Sequence, residues 1–250
     1  MGKLDIIITA GGSGLRMESD LPKQFLLLNG EPILFRTVSF FASLPVATDI
    51  YVVLPPLYMD VWSELVVQYG MDVRCTLVAG GLTRFHSVRN ALECMAPDGI
   101  VVVHDGVRPV LTQEMVMRCI ELAKVHPAVI PVVEVKDSIR RLAPSSEGFE
   151  GPEGSVAVDR SAYRLVQTPQ VFHAQVLIEA YKQSYMPCFT DDASVVEKAG
   201  IPLFLTKGDV RNIKITTPED LELAKLLVPP FVGGAVFDPD LPLDGLVKGD

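Results

Sequence analysis

The stretch Leu4-Asp5-Ile6-Ile7-Ile8-Thr9-Ala10-Gly11-Gly12-Ser13-Gly14-Leu15-Arg16-Met17 decides the fold. Its first six residues form a largely apolar, β-branched run of strand length, and the glycines behind it mark a tight turn. Glycine lets backbone N–H groups approach a phosphate with no Cβ in the way. The turn is not a P-loop, because GxxxxGK[ST] is absent. It is also a poor dinucleotide fingerprint: Gly12 and Gly14 supply GxG, but Met17 stands where the third glycine belongs. A merely tight turn between strand and helix remains the plain alternative. Arg16 and the following Leu21-Pro22-Lys23-Gln24-Phe25 sharpen the phosphate reading. Two cations flank a loop of outward-facing amides, and Pro22 stiffens the approach to Lys23. That arrangement suits a triphosphate whose α-phosphorus gains charge in a transition state. Two solvated surface cations are the bland alternative.

Outward from this turn, short apolar runs alternate with amphipathic ones. Strands are predicted over 50–54, 73–78, 100–104, 128–133 and 202–206. Helices are predicted over 33–44, 58–69, 84–95, 113–125, 173–184 and 191–199. In the 84–95 segment Val88, Ala91, Leu92 and Met95 recur at helical spacing. Thr217-Pro218-Glu219-Asp220 reads as a helix start, with Thr to cap, Pro at the first helical position and two acids to complement the dipole. This rhythm implies an α/β, Rossmann-like three-layer α/β/α fold with a mostly parallel sheet. It breaks after Val135. Residues 144–154 hold Ser, Glu, Gly and Pro and little that could pack, so they read as a protruding β-arm, placed over about 137–162. Residues 1–228 form the domain. Residues 229–250 form a tail, either disordered or an apolar strap through Phe231, Val236 and Phe237.

Hydrophobic residues are 48% of the 250 and charged residues 21%, a globular balance that excludes wholesale disorder. Lys and Arg number 22 against 31 Asp and Glu, and the net charge of −9 argues against wrapping nucleic acid. Small anions remain possible where the few cations converge. Cys75, Cys94, Cys119 and Cys188 are scattered without a CxxC, which fits neither a disulfide framework nor a zinc cage and favours a reducing compartment. No run approaches the roughly 20 apolar residues needed to span a bilayer. The N-terminus enters the first strand with no room for a secretory apolar region. The expectation is a cytoplasmic protein that binds neither nucleic acid nor membrane.

The motif AGGSGLRM…LPKQF resembles the N-terminal signature of the sugar-phosphate nucleotidyltransferases, and more narrowly the 2-C-methyl-D-erythritol 4-phosphate cytidylyltransferase family. Later motifs agree in order: Gly80-Gly81-Leu82-Thr83-Arg84 with Ser87-Val88, His104-Asp105-Gly106-Val107-Arg108-Pro109 and Lys136-Asp137-Ser138-Ile139-Arg140-Arg141. Then come Asp159-Arg160, Gln167-Thr168-Pro169-Gln170, Thr190-Asp191-Asp192-Ala193-Ser194 and Asn212-Ile213-Lys214-Ile215-Thr216. The resemblance covers roughly residues 4–228. It implies that CMP passes from CTP to a sugar-alcohol phosphate and that pyrophosphate leaves, in the non-mevalonate route to isoprenoids. A ribitol-5-phosphate cytidylyltransferase is the nearest alternative, and a non-catalytic nucleotide-binding subunit a more distant one. An oxidoreductase would want an acid ending the second strand, where Leu54-Pro55-Pro56 stands.

The resemblance implies catalytic roles for Arg16, Lys23, Arg160 and Lys214, with Arg160 and Lys214 on the acceptor phosphate. It implies nucleotide binding by Ala10, Gly11, Gly12, Gly14, Gly81, Arg84, Ser87, Asp105 and Gly106, and acceptor binding by Arg108, Ser138 and Thr168. Leu82 stands where many family members carry a polar residue, and Ser138 where they usually have Thr. Asp105, closing a strand, suits Mg²⁺, which takes hard oxygen ligands and shares them with phosphates. His104 reads as a packed neighbour, because an ionised phosphate attacks without a base. The 190–194 cluster is either a helix cap or a ligand. Ser138 and Arg160 bracket the arm, which implies a homodimer whose acceptor sites borrow residues across the interface.

Overall fold

Along the first strand, Ile6 and Ile8 pack into one hydrophobic cluster and Ile7 into another. This alternation is the pleat of a strand buried on both faces, and it sets the architecture of the whole chain. A computed structural model describes residues 3–11, 22–96, 98–142 and 154–230. The main sheet has eight strands: β1 (Leu4–Thr9), β4 (Asp49–Leu54), β5 (Thr76–Ala79), β6 (Ile100–Asp105), β7 (Ala128–Glu134), β10 (Arg164–Val166), β11 (Gln170–His173) and β12 (Phe204–Lys207). β1 runs parallel to β4 and β6, β4 to β5, and β12 to β7. β2 (Leu27–Leu28) and β3 (Glu31–Pro32) form a small separate hairpin.

Helices α1 (Ile33–Ala42), α2 (Met59–Gln68) and α4 (Gln113–Leu122) cover one face of the sheet. Phe35, Phe41, Trp62 and Ile120 pack there against Ile6, Ile8, Val52 and Val102. On the other face lie α3 (Arg84–Leu92), α5 (Ala174–Ala180) and α6 (Asp192–Lys198), with Phe85, Val88, Leu177 and Val196 against Ile7, Val53, Val101 and Val103. This is the expected three-layer fold. α7 (Pro218–Leu227) begins as predicted: Thr217 caps it, Asp220 reciprocates, and Pro218 takes the first turn. Among the described residues no helix is long and apolar enough to cross a membrane.

Several boundaries move. The strand expected at 73–78 is Thr76–Ala79, that at 202–206 is Phe204–Lys207, and the 84–95 helix stops at Leu92. The helix placed at 173–184 is only Ala174–Ala180, because the sheet takes His173, which opposes Ile100. Periodicity predicts neither β10 nor β11. They run antiparallel to β7 in one course, Arg164 opposite Glu134 and Phe172 opposite Ala128, around a cis Thr168–Pro169 bond. A Pro amid polar residues hides such a strand pair from periodicity. In the arm region, β8 (Ile139–Arg141) pairs antiparallel with β9 (Val156–Val158) in a ladder apart from the main sheet. Residues 143–153, at the centre of the expected arm, lie outside the described residues, as does the tail from 231 onward.

Candidate active site

Register places the site. Thr9 opposes Asp105, so the carboxyl ends of β1 and β6 lie side by side and the chain leaves them through Ala10-Gly11 and Gly106. In open α/β sheets ligands collect at such ends. The Gly106 N–H donates to the Thr9 carbonyl at 2.8 Å. A Cβ on Gly106 would come within 2.8 Å of Leu34 Cδ1 and 3.2 Å of the Thr9 carbonyl oxygen, so a side chain there would have to push Leu34 aside.

Two clefts open here. The first, about 270 Å³, is bounded by Ala10, Gly11, Lys23, Gly81, Thr83 and Ser87. The second, about 230 Å³, is bounded by Arg108, Gln167, Thr168, Gln170, Thr190 and Asp191. Arg84, Asp105 and Lys214 line both. Lys23 opens the short 3-10 turn Lys23–Phe25, whose Gln24 amide donates to the Ala10 carbonyl at 2.8 Å and so ties the turn to the end of β1.

Asp105 is the hub of the seam. Its Oδ2 meets Lys214 Nζ at 3.0 Å and Arg108 Nε at 3.3 Å, and its Oδ1 meets Arg84 Nε at 3.4 Å. Arg84 Nη2 also meets Asp192 at 2.6 Å. Three cations therefore share two carboxylates, leaving a positive focus in an acidic protein. Burial alone would raise the Asp105 pKa, but Arg84, Lys214 and Arg108 outweigh it and hold the carboxyl well below the usual carboxylate range. Burial likewise opposes the Arg84 charge, and Asp192 and Asp105 overcome it.

His104 is fully buried, and that burial lowers its pKa to about 4. Its Nε2 lies 3.0 Å from the Arg108 carbonyl, which can only accept, so Nε2 carries the proton. Nδ1 then accepts from Thr168 Oγ1 at 3.0 Å, and Thr168 Oγ1 accepts from the Asp105 N–H at 3.1 Å. A neutral imidazole with both nitrogens engaged is structural, as the sequence suggested, and Thr168 braces the end of β6 that carries Asp105.

Of the residues singled out in the sequence, Ala10, Gly11, Lys23, Gly81, Arg84, Ser87, Asp105, Arg108, Thr168 and Lys214 line the paired clefts. The Ser87 hydroxyl accepts from the Gly81 N–H at 3.1 Å and donates to the Thr83 carbonyl at 3.0 Å, so it shapes the loop. Ser138 and Arg160 line neither cleft. The separate ladder carries Ser138 away from the main sheet, and Arg160 donates to the Lys136 carbonyl. Gly12, Gly14 and Arg16 lie outside the described residues. The 190–194 cluster divides: Asp191 caps α6 in a box with Ser194, while Asp192 binds Arg84. Asn212 is a positioning residue that the sequence pattern does not single out. Its amide donates to the Thr168 carbonyl at 2.7 Å and its own carbonyl accepts from Arg108 at 2.9 Å, which sets the loop bearing Lys214. Asn212 opens the 212–216 motif, but nothing in that motif marks it as the partner of Thr168.

Among the described residues no group of three or more His, Cys, Asp or Glu side chains could hold a metal by itself. Among the described residues Asp105 is the one carboxylate lining the first cleft, and there its Oδ1 has only the long Arg84 contact, so it keeps lone-pair capacity. One hard oxygen of this kind fits Mg²⁺ when phosphate oxygens and water complete the shell.

A mostly parallel α/β sheet with two joined, cation-lined clefts at its carboxyl end is an arrangement suited to nucleotidyl transfer. The model of the 2-C-methyl-D-erythritol 4-phosphate cytidylyltransferase family matches residues 4–229. The relative of that name from Bacteroides fragilis is 48% identical over 222 residues, covering 89% of this chain and 98% of the relative. That from Porphyromonas gingivalis is 48% identical over 224 residues, covering 89% and 96%. The crystal structure of the Thermus thermophilus protein superposes with a TM-score of 0.68 at 32% identity, covering 90% of this chain and 98% of that one. The chain belongs to the 2-C-methyl-D-erythritol 4-phosphate cytidylyltransferase family.

Proposed function

We propose that the protein transfers CMP from CTP to 2-C-methyl-D-erythritol 4-phosphate, giving 4-diphosphocytidyl-2-C-methyl-D-erythritol and pyrophosphate in non-mevalonate isoprenoid synthesis. The observation that carries this reading is the sharing of Arg84, Asp105 and Lys214 by two adjoining clefts. One cleft suits the triphosphate and the other the acceptor, so their phosphorus atoms meet at a common wall of cations.

An acceptor phosphate oxygen forms a new bond to the α-phosphorus of CTP. The bond from that phosphorus to the bridging oxygen of the β-phosphate breaks, and pyrophosphate departs with the electron pair. The nucleophile is already ionised, so no proton need be taken, in keeping with the sequestered His104. Lys23 faces the triphosphate, and the resemblance gives Arg16 a charge-stabilising role beside it. Lys214, Arg108 and Thr168 orient the acceptor, and alignment of two anions is the larger part of the task. Asp105 would hold Mg²⁺ jointly with the phosphates, and the ion when bound neutralises charge on them.

Ser138 and Arg160 act, on this reading, in the acceptor site of a neighbouring subunit, and the protein is a homodimer joined through the arm. Mixing inactive Arg160→Ala and Lys214→Ala variants before reassembly should then restore roughly a quarter of wild-type activity, because half the dimers regain one intact site. No recovery would show that both residues serve the site of their own chain and would overturn the shared site. The primary test is pyrophosphate release from each common NTP with methylerythritol phosphate and with ribitol 5-phosphate. Preference for CTP with methylerythritol phosphate is expected, and preference for ribitol 5-phosphate would overturn the assignment.

A further inference from the structure

Tyr181, directly after α5, is buried and touches Arg84's surroundings twice. Its hydroxyl donates to Asp192 Oδ1 at 2.6 Å, and the other oxygen of that carboxylate accepts from Arg84 Nη2 at 2.6 Å. Its ring stacks on Phe85, the helical neighbour of Arg84, with centroids 4.7 Å apart and planes 17° from parallel. Phe85 in turn stacks on Phe189 at 5.6 Å. Arg84 thus hangs between two carboxylates, held closely by Asp192 and loosely, at 3.4 Å, by Asp105. The orientation of Asp192 therefore decides where the guanidinium rests between the clefts. Asp192 is fully buried, with one short hydrogen bond to each oxygen, and the Tyr181 hydroxyl is what stops the carboxylate turning.

We infer that Tyr181 is a positioning residue for the transfer reaction, fixing Asp192 so that Arg84 is pre-set against Asp105 at the junction of the two clefts. It touches neither cleft and acts through Arg84 alone. The inference rests on the proposed function for its catalytic consequence, and on geometry alone for the link from Tyr181 to Arg84.

Tyr181→Phe tests it, since the ring stack survives and only the hydroxyl goes. A hydrogen bond to a buried charge is worth enough to change kcat/KM about tenfold. That loss is expected in the wild-type background and is expected to vanish when Arg84 is already Lys, because residues acting through one another are not additive. Independently of activity, exchange of the Arg84 Nε–H with solvent, followed by NMR, should quicken at least about tenfold in Tyr181→Phe. Unchanged exchange overturns the inference. So does a kcat/KM within twofold of an active wild type, or a full additional loss in the Arg84→Lys background. An inactive wild type would instead refute the proposed function, while the exchange measurement would still decide whether Tyr181 holds Arg84.

Discussion

Lys214 Nζ stands 3.0 Å from Asp105 Oδ2, although Asp105 ends β6 and Lys214 sits on a loop far along the chain. The contact closes a ring around the seam of the clefts: Asn212 binds Thr168, Thr168 binds the Asp105 N–H, and Asp105 binds Lys214. The loop that delivers one cation is thereby indexed to the strand end that delivers the carboxylate.

Lys23 faces the first cleft from a turn anchored to β1 by Gln24. Lys23→Ala is expected to lower kcat by about a hundredfold while CTP binding weakens only severalfold, the pattern of a group that acts on charge developing in the transition state. Rapid-quench turnover set beside equilibrium CTP binding checks this, and unchanged turnover would remove Lys23 from the mechanism.

Removing the charge at Asp105 leaves Arg84 with Asp192 but takes the carboxylate from Arg108 and Lys214. Asp105→Asn should cost about 3 kcal/mol of stability at pH 7 and abolish most activity. The folded carboxyl is held below its ordinary value of 3.8. Its contribution is therefore complete above that value and lost as pH falls below it. Urea melts from pH 7 to pH 3 should show a steeper acid loss for wild type than for Asp105→Asn.

His104 has the opposite origin and a different window. Its folded pKa of about 4 lies below the ordinary 6.5, so between those values the unfolded chain binds the extra proton. Stability is then full above pH 6.5 and declines by up to about 3 kcal/mol as pH falls to 4. His104→Gln should flatten the urea midpoint over that interval. An unaltered slope would show that another group is responsible.

Gly81 leaves no room for a side chain: a Cβ there would lie 2.4 Å from His86 Cβ. Gly81→Ala must displace the loop whose amide Ser87 holds, and CTP affinity is expected to fall about tenfold with little change in melting temperature. Calorimetric titration with CTP measures it.

Much of this was legible in the chain itself. β1 and its glycine turn, the alternation of buried strands with amphipathic helices, and the Thr217-Pro218 helix start follow from local pattern, because periodicity and capping are properties of neighbouring residues. The motifs also named most of the cleft residues, including Lys23, Arg84, Asp105 and Lys214. What local pattern could not carry was pairing. The β10–β11 course past Pro169 exists because β7 and β6 offer hydrogen-bonding edges to it, and His173 is strand rather than helix for the same reason. Nor could it show that Asp192 serves Arg84 while its neighbour Asp191 caps a helix, that Asn212 braces Thr168, or that Ser138 and Arg160 stand off the clefts of their own chain. Those outcomes depend on which loops the folded sheet brings within hydrogen-bonding reach. A charge at a strand end acquires its meaning only from the partners that burial forces upon it.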